Sequence, residues 1–120
     1  MTTQTAFDLD ALRRTVAAGD VDAFGELLAD DVEWSEIDQR TPPAAPSVVR
    51  GRDAVLEVLR EGVARGIATE VADAFVSSDR GALRFVCTYP AGGGQVVSNA
   101  LLHIRDGRIA RYDGVQAWDE

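Results

Sequence analysis

The chain has 120 residues, enough for one domain around a single core and too few for two. Hydrophobic residues make up 46% and charged residues 27%, which excludes a disordered tail or linker. Twenty acids against twelve bases leave a net charge of −8, which sets the chain against nucleic acids and anionic membrane surfaces as partners.

The opening "MTTQTAFDLD" has neither a basic start nor an apolar run, so no signal peptide is expected. No window approaches the roughly 18 apolar residues of a membrane span. A single cysteine, Cys87, cannot close an internal disulfide, and the expected setting is the cytoplasm. All twelve bases are arginine, which reads as coding bias rather than design.

A first helix is predicted to start at Phe7-Asp8, with Asp8 as N-cap and Phe7 stapling onto Leu12. Leu9, Leu12 and Val16 recur at helical spacing and should face a core. Gly19 can take the left-handed conformation that ends a helix, and Asp20 then caps a second one directly. Val21, Phe24, Leu27 and Leu28 form the second helix's apolar face, and Asp30-Asp31 should stop it. "DVEWSEID" then alternates as a strand, with Val32, Trp34, Glu36 and Asp38 on one side and Glu33, Ser35 and Ile37 on the other.

"QRTPPAAPSVVRG" reads as a loop by its three prolines. A third helix is predicted over about Arg52 to Arg65, with Val55, Leu56, Leu59 and Val63 on one face. Beyond Gly66 the period becomes two, and strands are predicted at about 67–77, 82–90, 95–105 and 108–118. Their turns are "SSDRG", "PAGGG" and "RDG", the last a tight Asp-Gly hairpin signal. Helices first and a meander of strands afterwards make the fold class α+β.

"AAGDVDAFGELLADDVEW", the Pro-rich loop, "RGRDAVLEVL" and the closing "IRDGRIARYD" occur in an order that resembles the SnoaL-like and ketosteroid-isomerase-like branch of the nuclear transport factor 2 (NTF2-like) superfamily. The resemblance spans nearly the whole chain. It implies a strongly curved, mainly antiparallel sheet wrapped as a cone around three N-terminal helices, with a pocket inside. The scaffold hosts isomerases, cyclases, dehydratases, epoxide hydrolases and non-catalytic binders, so it speaks for fold more than function. It also implies which face of each strand is inward: Trp34 and Glu36; Leu83, Phe85, Cys87 and Tyr89; Ser98, Ala100, Leu102 and Ile104; Tyr112, Gly114 and Gln116, with Trp118 near the rim. A slip of one residue would invert any of these.

By the same resemblance, Glu36 stands where steroid-isomerase-like members carry a proton-shuttling carboxylate. Beside Trp34 in an apolar cone it would be desolvated and its pKa raised toward useful general-base values. The alternative is a strand-end acid reaching solvent at the cone's mouth. The positions that supply the family's oxyanion donors match Leu12 and Ala100, which cannot donate, so Tyr89 and Tyr112 are the expected replacements. The last-strand acid of epoxide-hydrolase-like and cyclase-like members matches Gly114, with Asp113 beside it facing away.

Trp34, Phe85, Cys87, Leu102, Gln116 and Trp118 are the expected substrate-contacting residues, although the aromatics could be core packing alone. His103 is the only histidine and is expected on the outer face, at a dimer contact. Cys87 reads as a small core hydrophobe, and "AGGGQ" as a hairpin turn rather than a phosphate cradle. No ligand cluster or nucleotide motif occurs, so neither metal nor organic cofactor is expected. The expected activity is cofactor-free proton transfer, as by an isomerase, cyclase or lyase, on an apolar, polyketide- or steroid-like carbonyl compound. A non-catalytic binding or dimerisation module and an epoxide hydrolase are the alternatives. An outer face carrying Val86, Thr88, Val97, Asn99, Leu101 and His103 suggests a homodimer.

Overall fold

Two aspartates start the first two helices of the computed structural model, which describes residues 6–119; the first five residues of the stretch read as lacking a leader lie outside them. In α1 (Leu9–Ala18) the Asp8 carboxylate accepts the Ala11 N–H at 2.9 Å, satisfying one of the donors a helix start leaves unpaired. Gly19 closes α1 with φ 66°, and the Asp20 N–H reaches back to the Thr15 carbonyl at 3.0 Å. Asp20 then accepts the Ala23 N–H and starts α2 (Val21–Gly25).

That second helix stops earlier than expected. Leu27 and Leu28 do not extend it: the Ile109 N–H donates to the Leu27 carbonyl at 2.7 Å, and Leu28 opens β1 (Leu28–Ile37), paired with Ile109. Burial of Leu27 and Leu28 outweighs the local helical pattern. Asp30 and Asp31 are therefore not a helix stop. They sit on an irregular stretch of β1 between the Leu28 and Glu33 pairings, ion-paired with Arg52 and Arg105. Part of the predicted Pro-rich loop is also a strand. β2 (Ser47–Arg50) pairs antiparallel with β1, Trp34 opposite Val49 and Glu36 opposite Ser47, because the β-branched Val48-Val49 lies past the loop's last proline, Pro46.

After α3 (Arg52–Ala64) come β3 (Ala68–Val76), β4 (Arg80–Thr88), β5 (Gln95–Arg105) and β6 (Arg108–Trp118). The sheet runs β2-β1-β6-β5-β4-β3, with β1 and β6 parallel and the other neighbours antiparallel. It stays open, and the helices cover one of its faces, α1 against β3 and α3 against β1. This is the α+β, NTF2-like arrangement expected. Between helices and sheet lies a core that includes Leu12, Phe24, Val32, Val55, Leu102 and Ile109.

Along β5 the expected faces hold: Ser98, Ala100, Leu102 and Ile104 are buried, whereas Asn99, Leu101 and His103 are exposed. A bulge between Val71 and Asp73 shifts the parity of β3, so Val71 and Ala74 both pack on the core and Phe75 turns outward. Among the described residues no helix is long and apolar enough to cross a membrane.

Candidate functional site

The inner face of the sheet and the Gly19-Asp20 corner enclose a cavity of about 270 Å³. The sheet contributes Trp34, Glu36, Phe85, Cys87, Ser98 and Gln116, with Tyr89 just past the end of β4; the helices contribute Phe24, Leu59 and Val63, among others. Val63, expected on a core-facing stripe, is instead 45% exposed, and with Val58 it marks the side on which the cavity opens.

Glu36 points inward, as expected. Residues two apart on a strand share a face, so the Trp34 indole N–H can donate to Glu36 Oε1, at 3.1 Å. The Ser98 hydroxyl donates to Oε2 at 3.3 Å. Burial raises the Glu36 pKa. The hydrogen bonds from Trp34, Ser98 and Gln116 pull it down, the charge of Asp38 adds a smaller push upward, and the net shift is upward. The carboxyl is thus a stronger proton acceptor than an exposed glutamate, and it is anchored at both oxygens.

Gln116 stands beside it. The Trp118 indole N–H donates to Gln116 Oε1 at 3.0 Å, and an indole nitrogen can only donate, so the amide oxygen must be the atom facing it. The Gln116 NH₂ group has two N–H donors, so one can serve Glu36 while the other is left for the cavity. Trp118 also meets Tyr89 at a ring separation of 5.9 Å, at the rim.

Three residues expected to meet a ligand do not line the cavity: Trp118 stays at the rim, 40% exposed, and Tyr112 and Leu102 are buried behind it. Tyr112 is inward but fully buried, its ring stacked on Trp34 at a centroid distance of 3.7 Å, so the indole stands between it and the ligand space. Its hydroxyl is the one buried side-chain polar atom among the described residues without a hydrogen-bond partner. Burial and the Glu36 charge push its pKa well up, so it stays protonated. Leu102, 1% exposed, belongs to the core behind the cavity for the same reason: inward on this sheet means core near the centre and pocket only toward the rim.

Gly114 lies where a side chain would collide with this arrangement. A Cβ there would stand 2.7 Å from Tyr112 Cε1 and 3.2 Å from Glu36 Oε2. The position matched to the last-strand acid of other members is occupied here by the Tyr112 ring. Asp113 is on the outer face, accepting from Arg111 Nε at 2.9 Å. His103 is exposed there too, opposite Arg80 and Arg111. Leu12 and Ala100 are buried and offer no donor.

Cys87 is a cavity wall whose thiol burial pushes up, with the Thr69 hydroxyl donating to Sγ at 3.4 Å. It remains a protonated thiol, poor as a nucleophile. Sequence reasoning left Ser98 out of the site, along with the helix residues that line the cavity. For Ser98, its inward parity and its place opposite both Phe85 and Gln116 were the available signals.

A second, shallower depression of about 820 Å³ lies on the opposite face of the sheet, lined by Phe75, Leu101, Val115, Arg84, Arg111 and Asp113 among others. Phe75, Leu101 and Val115 are 67%, 66% and 57% exposed, forming an apolar strip broader than expected there.

Among curated proteins, no relative matches this sequence. Solved structures do resemble the fold. An NTF2-like protein of unknown function from Mesorhizobium loti aligns with a TM-score of 0.72 and 22% identity over 91% of this chain and 87% of that one. A candidate ketosteroid isomerase from Kribbella flavida gives 0.70 and 20% over 92% and 74%. An epoxide hydrolase of the LEH-like type from M. tuberculosis gives 0.66 and 17% over 91% and 79%. At these identities the likeness is one of fold. Residues 9–112 match the SnoaL-like domain, and the chain belongs to that family.

Proposed function

We propose that this chain is a cytoplasmic enzyme that moves a proton at the carbon beside a carbonyl group, without a cofactor, in the manner of an isomerase, cyclase or lyase. The observation that carries the reading is Glu36: an inward carboxylate in an apolar cavity, oriented by Trp34 and Ser98, with its proton affinity raised by burial. The carboxylate takes the α-proton, and the C–H electron pair moves into the carbonyl to give an enolate. Gln116 NH₂ and the Tyr89 hydroxyl are the donors that can meet the enolate oxygen. Glu36 then returns the proton to carbon, restoring the carbonyl with no net redox change.

The test follows α-proton exchange of a simple ketone in D₂O by NMR. The parent protein should accelerate exchange, and Glu36→Gln should lower the rate by about 10²–10⁴-fold. Parent exchange no faster than buffer would leave the second reading, a binding protein, which is favoured by the fact that both Glu36 oxygens already accept hydrogen bonds. Epoxide hydrolysis finds less support, since Asp113 is turned outward and held by Arg111. The outer strip of Phe75, Leu101 and Val115, bordered by charged groups of both signs at Arg84, Arg111 and Asp113, fits a two-fold contact with a second copy of the chain.

A further inference from the structure

We infer that the cavity selects an uncharged compound of one or two rings and turns away carboxylates and larger polycycles. This rests on the reading of the cavity as a ligand site and narrows its ligand class.

Charge is the first argument. Among the described residues that line the cavity there is no arginine and no histidine, while Glu36 and Asp20 both contribute acids. Four arginines are committed on other surfaces: Arg60 to Asp22, Arg52 to Asp30, Arg50 to Glu33 and Arg111 to Asp113. The remaining polar groups are neutral. The Thr15 hydroxyl is bound to the Ala11 carbonyl and the Thr69 hydroxyl to Cys87, which leaves Gln116 NH₂ and Tyr89 facing a ligand. A neutral carbonyl suits these donors. A carboxylate would bring a second negative charge beside a half-buried one. At an effective dielectric constant of about 20 and a separation of about 5 Å, that repulsion weakens binding on the order of 10²-fold.

Size is the second argument. At about 270 Å³ the cavity falls just below the span of roughly 300–1,000 Å³ that accommodates drug-sized ligands. Space that would lengthen it inward is filled: Tyr112 stacks behind Trp34, and Phe24 meets Trp34 edge-on at 6.3 Å. A four-ring skeleton would leave part of its surface outside, against Val58 and Val63 at the opening.

Calorimetric titration of the whole chain at neutral pH with acetophenone and benzoate tests the charge argument, because the two differ chiefly in charge. Acetophenone should bind at least tenfold more tightly, and Glu36→Gln should raise benzoate affinity and narrow the gap. Equal or tighter binding of benzoate to the parent, or a gap unchanged in a folded Glu36→Gln variant, would overturn the inference. The parent comparison stands without the variant. For size, 1-tetralone should bind at least as well as acetophenone, and a tetracyclic steroid ketone no better than 1-tetralone. A steroid ketone binding more than tenfold tighter, or no saturable binding of the one- and two-ring ketones at millimolar concentration, would overturn it. Loss of α-proton exchange with ligand discrimination intact would instead count against proton transfer alone.

Discussion

The desolvation that raises the proton affinity of Glu36 also penalises its ionised form. Its pKa lies above the ordinary 4.5, so the native state holds this proton more tightly than the unfolded chain does. Its contribution to stability is therefore fully present below that ordinary value and is lost as the pH rises through the raised one. Glu36→Gln, which cannot ionise, should gain stability relative to the parent between about pH 4 and pH 7. Denaturant midpoints of both proteins at the two pH values check this, and a difference independent of pH would mean that the carboxylate is solvated. Gly114→Ala is expected to destabilise by about 1–3 kcal/mol, because the new methyl meets a Tyr112 ring already held against Trp34. Tyr112→Phe removes only an unpartnered hydroxyl, so thermal unfolding should show stability equal to the parent or higher, with α-proton exchange unchanged.

At the scale of elements, the helical corner is the most locally determined part of the fold. Asp8 and Asp20 bond N–H groups three residues away, and Gly19 needs a positive φ, so short-range chemistry suffices to place both helix starts. Gly19→Ala should cost about 1 kcal/mol or more in thermal unfolding, because alanine resists that conformation. The faces of β5 were legible for a related reason: their alternation is unbroken over the whole strand. What could not be read depends on distant partners. β2 exists only because β1 offers Trp34 and Glu36 as pairing positions, and α2 ends early because Ile109, far along the chain, captures the Leu27 carbonyl. The β3 bulge also depends on its partner strand: plain alternation onward from Val71 would turn Phe75 inward, and the register shift against β4 turns it outward. Within the site, the inward set was right, but alternation cannot separate core from cavity wall. Tyr112 and Leu102 were misplaced for that reason.

At the scale of the whole molecule, the sheet keeps one face for the cavity and presents on the other an apolar strip with Leu101 near its centre. If two copies pair through that strip, Leu101→Glu places like charges across the two-fold contact. Sedimentation should then change from dimer to monomer at micromolar concentration, with circular dichroism unaltered. A parent that sediments only as monomer would refute the pairing. The parallel seam between β1 and β6 has a further consequence, in time rather than in space. Glu36 and Trp34 reside on the first strand and pair beside Gly114 and Tyr112 on the last. During synthesis, the Glu36 carboxylate is therefore expected to stay in water until β6 has emerged, because its burial needs that strand. Refolding should show the same order, because closing so long a loop precedes any reward from its contacts. Premature stops that spare every helix would still leave Glu36 an ordinary surface acid. Desolvation of Glu36 is thus tied to the arrival of β6, and any chemistry that rests on that desolvation would be tied to it as well.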